Sequence, residues 1–469
     1  MKSAYEQLDQ TLQTLFEKKR LTGISVAALG PDGEMFAKGY GRANGDGTLL
    51  CDENTIFGVA SMSKSQVALA CAILATEGKL SFDDPVYFYF PKFNLPGIPK
   101  DAVTLRHLAM HTAGIPPLEA LEWSIAMHKA SIDETAEKLR MSAPNPMETV
   151  DQIIEYIATC GYPLLGAPGE QMSYSNEGYA ILSYVVDQAA GIPLERFLEE
   201  RVYQPLSMTR TILDIDASGA RALSGGNITS LFEMKGDHIT CDDEWSVLPP
   251  YRGCGLVKST ARDMAVYYRC LSNIGKHEGK QVIPREAVEM ILGKGFPARR
   301  ITSYCYGLYK REWEGHVICE HSGGLHGVSS HGGLLLGEGW GFAALCNLGE
   351  QDVDSFVWPL YNHVIGRPLD EKHRWYRDAG RDFSNPEMAA GTYRSREGIP
   401  VDVTIYENKG KLFAIKEEKR MPLTYCGETL FAAFDEEGEV LLRVEVLIRD
   451  GHAWAIRCGS RVYQRVSSG

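Results

Sequence analysis

The sequence predicts an α+β fold: an antiparallel sheet flanked by helices, a largely helical middle, and an all-β barrel at the C-terminal end. Three observations carry this expectation. β-rich runs stand at both ends of the first 366 residues, apolar residues between them recur at helical spacing, and beyond Gly366 the runs become short and turn-punctuated. The expected division is residues 1–366 as one large domain, 367–386 as a linker and 387–469 as the barrel domain.

In chain order, Leu8, Leu12, Leu15 and Phe16 alternate with Glu6, Asp9, Glu17 and Lys18, an amphipathic helix over Met1 to Arg20 rather than a secretory leader. Gly23 to Leu29 and Met35 to Tyr40, separated by Pro31-Asp32-Gly33, predict a hairpin. From Ser63 to Glu77 the residues Val67, Leu69, Ala70, Ile73 and Leu74 fall at helical spacing, and Gly78 supplies the stop. Helices are expected at Thr104 to His111, Val150 to Cys160, Asn176 to Ala190, Leu194 to Tyr203, Ala261 to Ser272 and Arg285 to Leu292. Strands return at Tyr304 to Trp313, Val317 to Glu320, Val328 to Leu336 and Gly341 to Cys346, so the sheet draws on both ends of the large domain. Val353 to Ile365 reads as a closing helix. Beyond the polar stretch Arg367 to Pro386, strands at Val401 to Tyr406, Lys411 to Ile415, Leu441 to Leu447 and Ala453 to Arg457 alternate with Gly-containing turns.

Composition narrows the function classes. The chain has 469 residues, 44% hydrophobic and 23% charged, which is the profile of a globular enzyme and not of a disordered or fibrous chain. Lys+Arg number 48 against 61 Asp+Glu, a net charge of −13 that disfavours nucleic acid, because phosphate binding needs clustered cations. The most apolar stretch, Val67 to Thr76, is too short for a membrane span, so no membrane partner is expected. The 11 cysteines are scattered and include no Cys-x-x-Cys, which reads as reduced core thiols in a cytoplasmic protein.

Ser61-Met62-Ser63-Lys64 opens the apolar helix, and Ser61 and Lys64, three apart, share a face and can meet. Alone, that spacing is common. Tyr174-Ser175-Asn176 opens a second apolar helix, and His321-Ser322-Gly323-Gly324 follows a β run and precedes another. Three polar motifs, each at an element boundary, belong together.

With Phe57-Gly58-Val59-Ala60, Asp83-Asp84-Pro85-Val86, Thr104-Leu105-Arg106-His107-Leu108, His111-Thr112-Ala113-Gly114, Pro205-Leu206-Ser207-Met208 and Ser259-Thr260-Ala261-Arg262-Asp263-Met264, the chain resembles the serine β-lactamase and penicillin-binding-protein superfamily over roughly Leu8 to Ile365. The branch is the class C-like one that holds D-aminopeptidases, D-alanyl-D-alanine carboxypeptidases and related CubicO-type esterases. The resemblance implies a β-lactamase/transpeptidase-like domain and makes Ser61 the acylated nucleophile. Lys64 and Tyr174 take and return its proton, the base being either of the two. Asn176, His321, Ser322 and Gly323 would bind substrate, Asn176 also orienting Lys64, and the N–H groups of Ser61 and Gly324 would form the oxyanion hole. No metal or organic cofactor is implied. His321 stands where β-lactamases carry a lysine; with an ordinary pKa of about 6.5 it supplies little charge at neutrality, but it can hydrogen-bond Tyr174.

The implied substrates are small peptides or amides, D-residue-containing ones among them. The alternatives are a carboxylesterase or acyltransferase, weak β-lactamase activity, or a non-catalytic peptide binder. The barrel resembles small lipocalin-like appended domains, which border the active site or make homo-oligomer contacts. His107 and His111, spaced i, i+4, would share a helix face as zinc ligands do, but no Glu follows His107 and no third ligand is evident, and His321, His326 and His331 recur every five residues, which fits neither helix nor strand facing. The insertion between Pro116 and Val150, with a helix expected at Ile132 to Leu139, either roofs the pocket or decorates the surface.

Overall fold

The structure, a computed structural model, describes residues 4–130, 132–299, 301–373, 376–381, 383–398, 400–436 and 438–466. The hairpin Gly23–Leu29/Met35–Gly41 joins strands from the far end of the domain in one antiparallel sheet of eight. Its order is Phe296–Arg299, Thr302–Tyr304, Tyr309–Trp313, His316–Leu325, Val328–Leu335, Trp340–Cys346, Gly23–Leu29, Met35–Gly41. Ile24 faces Cys346 and Ala27 faces both Ala343 and Ala37, which fixes how the two chain ends are laced together. Along the strand Gly23–Leu29 side chains alternate faces. Ile24, Val26 and Ala28 pack with Leu8 and Leu12 of the helix Ala4–Lys19 and with Phe356 and Leu360 of the helix Asp354–Ile365. Ala27 and Leu29 join the opposite core, which holds the helical middle of the chain. The helix Ser63–Thr76 lies inside that core, buried all round from Ser63 to Leu74, so its apolar residues need no polar face.

Two expectations are corrected here. The run Tyr304 to Trp313 is two strands, Thr302–Tyr304 and Tyr309–Trp313, because the chain turns at Gly307, whose φ of +80° lies in the left-handed region that favours glycine. A Cβ on Gly307 would stand 2.6 Å from Ser65 Cα and 2.8 Å from Lys64 C, so only glycine lets this turn rest on the Ser63–Thr76 helix. The strand expected at Val317 to Glu320 extends over His316–Leu325 and carries the third motif within it rather than after it.

The C-terminal region forms nine antiparallel strands in a nearly closed barrel, ordered Lys419–Pro422, Lys411–Lys416, Val401–Asn408, Gly391–Ser395, Arg461–Arg465, His452–Cys458, Val440–Arg449, Leu430–Phe434, Thr424–Gly427. Tyr393, Val403, Ile405, Ala414, Phe431, Val444 and Ile456 fill it. Leu165 packs against Ala455 and Val462, and Arg449 reaches Glu170 at 2.7 Å, which seats the barrel beside the second motif. Among the described residues no helix is long and apolar enough to cross a membrane.

Candidate active site

Ser61 sits in the one-turn segment Ala60–Met62 that leads into the buried helix. Ala60 takes φ +46°, a left-handed conformation costing a non-glycine residue about 1 kcal/mol, and the surroundings hold it there. Ser63 Oγ donates to Ala60 O at 2.7 Å, Ser330 Oγ donates to Val59 O at 2.8 Å, and Val59 N donates to Val257 O at 3.0 Å. Gly323 presses against the same turn: a Cβ there would lie 2.5 Å from Val59 O and 2.9 Å from Ser61 N.

The helical spacing of Ser61 and Lys64 does bring them together, with Lys64 Nζ donating to Ser61 Oγ at 3.0 Å and to Cys254 O at 2.9 Å. Lys64 is therefore oriented by the Cys254 carbonyl and not by Asn176, the partner expected from sequence. Asn176 lines the cavity at the start of the helix Asn176–Ala190, which Ser175 caps by accepting from Gly178 N at 3.3 Å. Complete burial lowers the Lys64 pKa to about 8, because an ammonium loses its hydration there; Cys254 opposes this and Arg461 adds to it.

Tyr174 is pinned from both sides. Ser173 N donates to His111 O at 2.9 Å, Ser175 N donates to His111 Nδ1 at 3.1 Å, and the His111 ring packs 4.3 Å from that of Tyr174. From the barrel, Ser460 O accepts from Tyr174 N at 2.9 Å and Ser173 Oγ accepts from Val462 N at 3.2 Å. Burial raises the Tyr174 pKa above its ordinary 10.0, with the Ser61 hydroxyl and then Arg461 acting in the opposite direction. Lys64 Nζ lies 4.9 Å from the centre of its ring.

His321 does not bond Tyr174. Its Nδ1–H donates to the Ser322 carbonyl, so Nε2 of the neutral ring accepts from the Tyr304 hydroxyl at 3.2 Å. Burial, then Lys64, lowers the His321 pKa to about 3, so the ring carries no charge in the neutral range. The other histidines go elsewhere: His326 to Glu233 and Asp242, His331 to Glu320 and Asp354, His107 to Thr104 N.

Ser61, Tyr174, Asn176, His321, Ser322, Gly323 and Gly324 line one cavity of about 620 Å³. Sequence reasoning missed several of its walls. Leu121, Glu122 and Ile125 come from a helix at Ala120–His128 that was not foreseen; the one expected at Ile132 begins instead at Glu134, where the Asp133 carboxylate accepts from Ala136 N at 2.8 Å. So the insertion does border the cavity. Glu397, Ser460 and Arg461 enter from the barrel, Arg461 ion-paired with Glu397 and its guanidinium 4.9 Å from the centre of the Tyr174 ring. A polar Gly459-Ser460-Arg461 turn gives no sequence signal of such a role, whereas His111 lies in one of the motif blocks already singled out.

A serine held against a buried lysine whose pKa burial lowers, in this fold, defines a serine hydrolase of the β-lactamase and penicillin-binding-protein superfamily. The chain belongs to the beta-lactamase family, whose profile matches residues 8–365. It is similar to penicillin-binding protein 4* of Bacillus subtilis (strain 168), with 28% identity over 444 residues, covering 90% of each chain. Its fold is that of the octameric penicillin-binding protein homologue from Pyrococcus abyssi, at 20% identity and TM-score 0.67, covering 98% of this chain and 99% of that one. The D-amino acid amidase from Ochrobactrum anthropi SV3, solved with L-phenylalanine amide, shares it at 20% identity and TM-score 0.62, over 78% of this chain and 99% of that one.

Proposed function

We propose that this hydrolase cleaves amide bonds of small peptides or amides, D-residue-containing ones among them, through an acyl-enzyme on Ser61. The observation that carries the reading is the 3.0 Å bond from Lys64 Nζ to Ser61 Oγ, with burial holding the lysine pKa at about 8. A neutral Lys64 takes the Ser61 proton as Oγ attacks the carbonyl, and the C–N bond breaks as the leaving amine receives a proton relayed through Tyr174. Lys64 is the better base of the two, since burial moves its pKa toward neutrality and that of Tyr174 away from it. The Ser61 and Gly324 N–H groups receive the developing oxyanion, and Asn176 and Ser322 bind the substrate amide. The neutral His321 offers no cation for a carboxylate, so efficient β-lactam turnover is not expected. The fold shared with a D-amino acid amidase supports the amide reading.

The test is hydrolysis of D-alanyl and L-alanyl p-nitroanilides and of p-nitrophenyl acetate, beside covalent labelling by a fluorophosphonate. Ser61→Ala is expected to lose labelling and at least about 10³-fold in turnover. Cleavage of the ester alone would replace the amidase reading with the esterase one, and labelling that survives in Ser61→Ala would remove Ser61 as nucleophile.

A further inference from the structure

Arg461 stands beside Tyr174 yet comes from the barrel, where the strand His452–Cys458 turns into Arg461–Arg465. The turn is fixed on the second motif by the Tyr174–Ser460 and Ser173–Val462 bonds and by Tyr309 Oη, which donates to Ser460 Oγ at 2.6 Å. Two cations thus converge on one phenol: Arg461 Cζ and Lys64 Nζ each lie 4.9 Å from the centre of the Tyr174 ring. A cation at that distance from an aromatic ring both attracts it and restricts its tilt. The counter-ion Glu397 lines the same cavity and leaves the pair facing the substrate space rather than the barrel core.

We propose that Arg461 is a positioning residue for the Ser61, Lys64 and Tyr174 cluster: its guanidinium orients the Tyr174 ring and supplies the fixed positive charge of the site, and Glu397 sets how much of that charge the cluster feels. The inference rests on the acyl-transfer reading above. A permanent guanidinium suits the task because it cannot deprotonate, whereas Lys64 titrates and His321 is neutral.

The neighbours that could compete are few and opposed in sign. Glu122 and Glu177 face the cluster with carboxyl pKa values raised by burial, and Cys254 lies beside Lys64 with its thiol raised to about 12 by burial. His111 and His321 are held neutral by burial, and Tyr309 closes the ring around Arg461. After burial, which dominates both shifts, the Arg461 charge disfavours a second cation on Lys64 and favours the Tyr174 anion; Glu397 acts in the opposite sense on each. Removing the two halves of one ion pair must therefore move the ionisation of the cluster in opposite directions. A merely structural pair predicts the same loss from either half.

The experiment measures the rate of fluorophosphonate labelling of Ser61 from about pH 6 to 10 in the full chain, for wild type, Arg461→Met, Arg461→Lys and Glu397→Gln, with thermal melts as a folding control. In wild type the rate is expected to rise through a pH of about 8, where Lys64 loses its proton. Arg461→Met is expected to move that limb alkaline by roughly half to one pH unit, slowing labelling about 3- to 10-fold at neutrality, Arg461→Lys to restore it, and Glu397→Gln to move it acid. Shifts in the same direction, or none, overturn the proposal. Should Arg461→Met fail to fold, Glu397→Gln decides: an acid shift supports the assignment and an alkaline or absent shift ends it. Wild type that is not labelled at Ser61 would be a failure of the acyl-transfer reading, distinct from labelled wild type with unmoved variants.

Discussion

Lys64→Met is expected to lose at least about 10³-fold in Ser61 acylation and yet to fold more stably than wild type. Methionine matches the length of the lysine stem and fills the same fully buried channel without a charge. Holding the ammonium there is costly. The displacement of its pKa from 10.5 to about 8 corresponds to about 3 kcal/mol against the charged form. Orphaning the Cys254 carbonyl, which loses its 2.9 Å donor, returns about 1 kcal/mol of that, leaving a gain on the order of 2 kcal/mol at neutral pH. The pH dependence carries the signature. A folded pKa below the unfolded one means that the unfolded chain binds the extra proton between about pH 8 and 10.5, so the cost of Lys64 is full below that window and fades as pH rises through it, and the stability advantage of Lys64→Met over wild type should shrink from pH 7 to pH 10. Lys258, whose pKa burial also lowers to about 8, acts in the same sense, and the buried thiols and phenols raised by burial, such as Cys71 and Tyr267, act in the opposite one, but all of these are shared by both proteins and cancel in the comparison. Urea unfolding at pH 7 and pH 10 beside labelling kinetics checks both statements; a variant less stable than wild type at pH 7 would contradict the first.

Gly323→Ala is expected to slow acylation by about 10²-fold or more while the barrel and the Lys64 bond persist. The added methyl would meet Ser330 Oγ and Val59 O at 2.5 Å each and Ser61 N at 2.9 Å, so the strand His316–Leu325 must move away from the nucleophile turn. The separation between the Ser61 and Gly324 N–H groups is what would change, and a preorganised donor pair tolerates little of that. The stability cost is that of overpacking, about 1 to 3 kcal/mol. Equal losses in ester and amide turnover with an unchanged pH profile identify an oxyanion defect; a shifted profile would point instead to Lys64.

What the sequence displays of this site is what its local geometry dictates. Ser61 and Lys64 meet because they are three apart at a helix start, and Ser175 caps the helix that begins at Asn176, so each motif could be placed on its element without the fold. The sheet was readable because Gly23 to Leu29 and Gly341 to Cys346 are uninterrupted β runs. Legibility fails where position depends on a distant partner. Gly307 splits a strand because the helix at Ser65 lies beneath it, and His321 turns to Tyr304 because Tyr304 sits across the sheet from it. Arg461 is invisible for the strongest form of that reason: a polar residue after Gly459 looks like any exposed turn until the barrel is docked. The short barrel strands Lys419–Pro422 and Thr424–Gly427 likewise lack enough residues to show a period.

The bond between Val462 and Ser173 spans 289 residues, whereas that between Lys64 and Ser61 spans three. Loop-closure entropy grows only with the logarithm of length, so the long contact costs little more in equilibrium stability than a medium one. Its effect is on timing. The serine and lysine belong to one local segment, whereas the second set of backbone partners of the tyrosine, Ser460 and Val462, belongs to the barrel, and such non-local contacts form slowly by nature. The sequence separations therefore predict an ordered assembly of the reactive centre, in which docking of the barrel locks the phenol last.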